Sequence, residues 1–335
     1  MADFNVNHIT GKQGQQGTVL AGVTTVSSTG SMRIPSGPTE QRGGRGRGIL
    51  GPGSNIPAGV TNILNYLTIA TTGDAIDFGD LSYGNAYRGG LASSTRGVFA
   101  NGQADATYDY VTISSQGGGN DFGEAKSNHM GGATFNSQTR GFRAGGSDPA
   151  QTSNIMGMVI ASTGSFYDAG DLTLIGIYQN GASSSTRGII FGGALGGATS
   201  KNIDVFTMAS GGNAIKFGEL ITGRKYVDPA CNSIRALAAG GEGPSANINS
   251  IEFVTIATDG NGTDFGDLSS ATGVGKSGVV SSATRGIFAG FYPATGNTIN
   301  YVTIMSTGDA QDFGDMTYAI HYPGGCSDSN GGLGD

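Results

Sequence analysis

The chain has 335 residues, with 18 basic against 25 acidic side chains and a net charge of −7. That sign argues against a general binder of nucleic acid or of anionic membranes, which needs a positive field. Glycine is abundant at 62 residues, but with only 9 prolines and no strict Gly-X-Y period a collagen is excluded. No apolar run approaches the roughly 18–20 residues of a membrane-spanning helix, so no membrane insertion is predicted. Met1-Ala2-Asp3-Phe4-Asn5 has neither the basic nor the apolar stretch of a secretory leader. Cys231 and Cys326 fall in different repeats of the chain, too far apart for bridging geometry, and are read as reduced.

Residues 1–43 form the first predicted unit. They are rich in Gly, Thr, Ser and Gln and cannot bury a core alone. Residues 18–26, with Val19, Val23 and Val26, and residues 31–35, with Arg33, Ile34 and Pro35, are β-prone. We expect an extended N-terminal arm, ending near Arg42, whose strands need a partner surface. Gly43-Gly44-Arg45-Gly46-Arg47-Gly48 is similar to Arg-Gly segments that contact nucleic acid. One short patch on an acidic chain falls short of the long basic surface such binding needs, so it reads as an entry into the next unit.

Residues 44–335 repeat six times. The marker is an Arg, usually as Thr-Arg-Gly, at Arg47, Arg96, Arg140, Arg187, Arg235 and Arg285, at spacings of 49, 44, 47, 48 and 50. A downstream aromatic follows at Phe78, Phe122, Phe217, Phe265 and Phe313, mostly as Asp-Phe-Gly, with Tyr167-Asp168-Ala169-Gly170 standing in for the third copy. A period of this length with several short strands per unit marks a propeller or array.

One repeat reads as four strands. Residues 87–94 are small and alternating, and Thr95-Arg96-Gly97 is a turn. Val98-Phe99-Ala100 is a short apolar strand, and Tyr108-Asp109-Tyr110-Val111-Thr112-Ile113 is β-branched and aromatic. Gly117-Gly118-Gly119-Asn120 is a hairpin turn, since positive φ is cheap there only for Gly and Asn, and Asp121-Phe122-Gly123-Glu124 is the last strand. Helical periodicity is absent, so the predicted fold is all-β: a six-bladed propeller with four antiparallel strands per blade. The N-terminal end of the ring starts at a second-strand equivalent, residues 47–51, and the C-terminal end stops at a first-strand equivalent, residues 322–328. Their pairing would close the ring without an open edge.

The order of strands resembles the kelch repeat: an apolar strand ending in a Gly doublet, as in Ile189-Ile190-Phe191-Gly192-Gly193 and Ala238-Ala239-Gly240-Gly241, then an aromatic-bearing strand and an outer aromatic. It departs from that family in using Phe where kelch has Trp and in its regular Arg. The resemblance implies fold and not function.

No catalytic residue, cofactor or metal is predicted. Asp-Phe-Gly lacks the other parts of a kinase and recurs too often to be one active site, so it reads as a strand. Acidic pairs such as Asp77/Asp80, Asp264/Asp267 and Asp312/Asp315 lack the ligand spacing of a Ca²⁺ loop and read as solvated turn carboxylates. His8, His129 and His321 lie far apart in sequence; the last two begin first strands and approach the axis, without a third ligand pattern for zinc. The six arginines read as framework, their N–H forks suited to carbonyls or to an Asp of the neighbouring blade, with an anionic-glycan ring as the functional alternative.

Arg33-Ile34-Pro35-Ser36-Gly37-Pro38-Thr39-Glu40-Gln41-Arg42, with the Phe4-Asn5-Val6 start and the Thr-Arg-Gly/Asp-Phe-Gly repeats, resembles virion structural proteins of tailed phages of marine cyanobacteria. That resemblance implies a non-enzymatic protein of the virion. Its arm would bind other virion proteins by strand addition, and its propeller would be displayed outward in multiple copies of a symmetric assembly. The alternative is an adhesin head that takes a host-surface glycan or receptor. Its site would be the variable loops 102–107, 146–154, 193–202, 241–249 and 290–298, in line with binding loops on a rigid scaffold.

Overall fold

The computed structural model describes residues 25–26, 32–33, 46–55, 59–84, 86, 89–100, 102, 106–125, 130–147, 150–269, 278–291 and 297–329. Within them every regular element is a strand. Six antiparallel four-stranded sheets form the blades of a β-propeller. The second blade is Gly90–Ala92, Arg96–Phe99, Thr107–Thr112 and Asn120–Glu124, in that spatial order. The third is Ala133–Asn136, Arg140–Ala144, Thr152–Val159 and Phe166–Gly176; the fourth is Asn180–Ser183, Arg187–Phe191, Asn202–Thr207 and Ile215–Glu219. The fifth is Asp228–Cys231, Arg235–Ala239, Ser250–Thr255 and Thr263–Asp267; the sixth is Gly278–Ser281, Arg285–Ala289, Thr298–Thr303 and Gln311–Asp315. The first blade is split between the chain ends: Gly325–Ser327 pairs with Arg47–Leu50, followed by Ile63–Thr68 and Ile76–Asp80. Its register is Gly48↔Ser327, Ile49↔Cys326 and Leu50↔Gly325. Asp328 adds a side-chain bond, Oδ1 accepting from the Arg47 N–H at 2.8 Å.

Each blade is covered on both faces, which is why its second strand, after the opening Arg, is buried and apolar rather than alternating, with Arg143 of the third blade as the exception. Successive side chains point to opposite faces, so Ile49 packs toward the second blade and Leu50 toward the sixth. Six clusters of buried apolar residues result, one at each junction between neighbouring blades. Phe78, Phe122, Phe217, Phe265 and Phe313 are all buried in these junctions. The junction of third and fourth blades has Ala169 at that position and is filled instead by Phe135, Phe142 and Phe206. Phe135 stacks on Phe142 at 5.4 Å, and Phe206 meets Phe142 edge-on at 5.0 Å. Three rings introduced on other strands make up the volume that one ring supplies elsewhere.

The Asp-Phe-Gly strand is the outermost of each blade, and the next blade latches onto it. At four of the six junctions the turn between third and fourth strands of one blade donates two backbone N–H groups to the Phe and the following acidic carbonyl of the blade before. At the third–fourth junction Ala169 O takes the place of the Phe carbonyl, and at the second–third Gly164 donates to Phe122 O. Gly117 donates to Phe78 O at 3.0 Å and Gly119 to Asp80 O at 2.7 Å. Gly260 to Phe217 O and Gly262 to Glu219 O repeat this, as do Gly308 to Phe265 O and Ala310 to Asp267 O. Gly73 to Phe313 O and Ala75 to Asp315 O close the circle across the chain ends. The Gly of the motif is required by this approach: a Cβ on Gly218 would stand 2.0 Å from the carbonyl oxygen of Gly260. Strand edges left bare would invite pairing with other chains, and the latches occupy them.

Two local placements differ from the sequence reading. The repeated Arg opens the second strand instead of sitting in the turn, and the two residues before it, such as Ser94-Thr95 and Ser185-Thr186, take the turn itself. The acidic residues of Asp-Phe-Gly-Asp lie on the fourth strand and not in turns, because the latch keeps that segment extended.

Candidate functional site at the mouth of the ring

The repeated arginines are spent on the ring. Each reaches from its own blade to main-chain carbonyls of the next. Arg47 Nη1 donates to Ile113 O at 2.9 Å, and Arg96 Nη1 to Ile160 O and Ala161 O, both at 3.0 Å. Arg140 bonds Met208 O and Ala209 O, Arg235 bonds Ile304 O, and Arg285 bonds Ile69 O and Ala70 O. Arg187 bonds Ile256 O and Ala257 O and also pairs with Asp259 at 3.1 Å. Four of these guanidinium groups lie over an aromatic ring of their own blade: Arg47 on Tyr66, Arg96 on Tyr110, Arg235 on Phe253 and Arg285 on Tyr301. Stacking holds the planar guanidinium face-on to the ring and leaves its N–H edge to donate sideways.

The first strands of neighbouring blades touch one another around the axis and are tied by a polar belt. Ser183 Oγ donates to Asn136 O at 2.8 Å, the Cys231 N–H to Ser281 Oγ at 3.2 Å, and Ser327 Oγ to Ser281 O at 2.7 Å. The belt leaves an axial cavity of about 70 Å³, lined by Gly90, Thr134, Asn180, Pro229 and Val279 among others. That is small beside the roughly 300–1,000 Å³ of small-molecule sites and suits a few waters. Cys231 and Cys326 belong to this inner ring and are free. Burial pushes the Cys231 thiol up to about 11 and the Cys326 thiol up as well.

At one end of the inner strands lies the least framework-like part of the ring. Tyr178, Tyr226 and Tyr322 each stand two or three residues before a first strand, with φ of 63°, 58° and 56°. For bulky side chains such backbone is an outlier that costs on the order of 1–2 kcal/mol each. The equivalent residue of the third blade is Gly131, with φ of 69°. The conformation links the blades: Tyr178 N–H donates to Gly131 O at 2.8 Å and Tyr226 N–H to Tyr178 O at 3.0 Å. The side chains gather into a collar. Tyr178 and Tyr226 have ring centroids 4.2 Å apart, Tyr226 and Tyr322 6.1 Å, and His321 meets Tyr322 edge-on at 4.8 Å.

The loops between second and third strands hold this collar. The residue before each Tyr exchanges backbone bonds with that loop: Ile177 with Ala194, Lys225 with Glu242, His321 with Ser54. Lys225 Nζ also pairs with Glu242 Oε1 at 2.9 Å and lies 5.5 Å from the centre of the Tyr226 ring. Below it Arg224 is buried against Glu252 and donates to Gly240 O at 3.1 Å and Ser250 O at 2.9 Å, fixing the lead-in to Tyr226. Burial lowers the Arg224 pKa, and Glu252 opposes that shift. Burial also holds His321 below the ordinary imidazole value, so it is neutral at pH 7.

Loops 193–202 and 241–249 are described throughout, and the other three variable loops in part. Of the arm, Val26 and Arg33 fall in a short antiparallel pair, Thr25–Val26 with Met32–Arg33; Val19, Val23, Ile34, Pro35 and Arg42 lie outside the described residues. So do His8 and His129. Among the described residues no group of His, Cys, Asp and Glu is placed to hold a metal ion, and no helix is long and apolar enough to cross a membrane. Sequence reasoning missed the collar. Its signal was a Tyr six residues after the Leu or Met that follows the outer strand, as in Leu220 to Tyr226 and Met316 to Tyr322.

No protein-family model matches the sequence, and no curated protein matches it. Among solved structures the chain is similar to the structure of YjhT, with 10% sequence identity and a TM-score of 0.61, over 72% of this chain and 87% of that one. At that identity the likeness speaks for the propeller fold alone.

Proposed function

We propose that this chain is a non-enzymatic structural protein of a tailed-phage virion, anchored through residues 1–43 and displaying its propeller outward. The observation that carries the anchoring is the latched rim. The Arg, Phe and Gly of the repeat are engaged between blades, and turns of the next blade cover the outer strands. Strand addition by another protein therefore falls to the arm, whose Thr25–Val26 and Met32–Arg33 pair is too short to be stable alone. The phage assignment rests on the Arg-Ile-Pro-Ser-Gly-Pro phrase and on the repeat phrases. The test is particle assembly with the full chain and with residues 1–43 removed. The shortened protein should fold and stay off the particle. Undiminished incorporation would move the anchor onto the propeller.

A second reading, an adhesin head for a host-surface receptor or glycan, is favoured by the collar. It is the part of the ring where tyrosines with strained backbone are held by loops between second and third strands, two of them the variable loops 193–202 and 241–249. The two readings are compatible in one protein.

A further inference from the structure

We propose that the tyrosine collar is a binding platform for a neutral sugar residue of a surface glycan. This rests on the reading that the propeller is displayed outward for recognition.

The backbone supplies the first argument. Gly131 shows that the collar position can be filled without a side chain, at no steric cost. Tyr178, Tyr226 and Tyr322 occupy it against that cost in three other blades, and strain of this kind gathers at ligand clamps. Gly131 even makes room for its neighbour: a Cβ there would stand 2.8 Å from Cδ1 of Tyr178.

Chemistry supplies the second. Tyr178 and Tyr322 are half-buried and flank Tyr226, which is buried against them, with the buried His321 imidazole edge-on to Tyr322, so Tyr178 and Tyr322 supply the accessible aromatic surface. A pyranose offers the complement, an apolar C–H face ringed by hydroxyls, and Tyr pairs an apolar body with a polar tip. Charge supplies the third. Among the described residues Lys225 at the collar is paired with Glu242, and His321 is held neutral. On a chain of net charge −7 the described part of the collar thus offers little to a phosphate, sulfate or sialic acid.

The test uses full-length protein on beads, probed with neutral oligosaccharides of glucose, galactose, mannose and rhamnose beside sialylated and sulfated ones. We expect at least one neutral probe to bind. The combined variant Tyr178→Gly, Tyr226→Gly, Tyr322→Gly, which the positive φ accepts, should lose at least about tenfold in apparent affinity while its melting curve stays cooperative. Tyr322→Phe should retain most of the binding. Absence of any neutral binder, preference for the acidic probes, or binding that survives the combined variant would each overturn the proposal. Should that variant not fold, magnetisation transfer from tyrosine ring protons of the unaltered protein to sugar protons decides, and its absence counts against the collar. Particle incorporation is scored separately: a collar variant that incorporates normally but binds no sugar leaves the anchoring reading intact, whatever the collar does.

Discussion

Phe265 shows how one side chain serves two blades. It lies on the outer strand of the fifth blade and is buried with Leu237, Ile251, Phe288, Val302 and Ile304, the last three from the sixth. Phe265→Ala should lower the unfolding free energy by about 3–5 kcal/mol, read from denaturant melts. A change below about 1 kcal/mol would mean the junction collapses around the loss. The same logic inverts at Ala169. There Phe135, Phe142 and Phe206 already fill the junction. Restoring the consensus ring, Ala169→Phe, should destabilise by roughly 1–3 kcal/mol through overpacking, although every other blade carries Phe at that position. A stabilised variant would show that the junction has space the three rings leave empty. The repeat marks both sites, but only packing sets opposite signs for the two substitutions.

Among the elements, the latch between outer strand and neighbouring turn explains the Asp-Phe-Gly phrase. Phe supplies the junction core, its carbonyl and that of the next acidic residue accept from the turn, and Gly lets the turn approach. Gly218→Ala sets a methyl group into the Gly260 carbonyl and should break both bonds that Gly260 and Gly262 donate. We expect a loss of about 1–3 kcal/mol and faster amide exchange at Gly260 and Gly262 than at the fifth blade's inner strands. Unchanged exchange would mean the turn shifts and re-forms its bonds. Four strands and their order were legible in each repeat because the signals are local: β-branched and aromatic runs between Gly-rich turns. The latch was not, because its donors and acceptors sit in different repeats and are backbone atoms common to every sequence.

At the scale of the whole molecule the ring depends on its first blade, built from both chain ends. Removing residues 325–335 takes out the Gly325–Ser327 strand and with it the Ser327 bond to Ser281 and the Asp328 bond to Arg47. The truncated chain should aggregate or melt far below the intact one, since an inner edge is exposed on the strand beside it. Thiol labelling offers a direct readout. Cys231, buried and with its pKa pushed up to about 11, should react slowly in the intact ring and readily after truncation. Equal labelling in both proteins would mean the ring does not need its closing strand.

The sequence by itself determined the repeat, the strand content, the number of blades and the complementary strands at the two ends. Each of these follows from patterns confined to one repeat or from counting repeats. Only the tertiary structure decided where the repeated Arg and Gly act and that the Tyr residues form a collar. Arg96 meets Ile160 O and Ala161 O in the next blade, Gly218 faces Gly260 and Tyr226 reaches Tyr178, each across a blade boundary, and Tyr226 also meets Tyr322 from the first blade. The physical reason is that a propeller's repeats do not stabilise themselves. A repeat states its own strands, but what its side chains and carbonyls do is settled by the neighbour it is packed against.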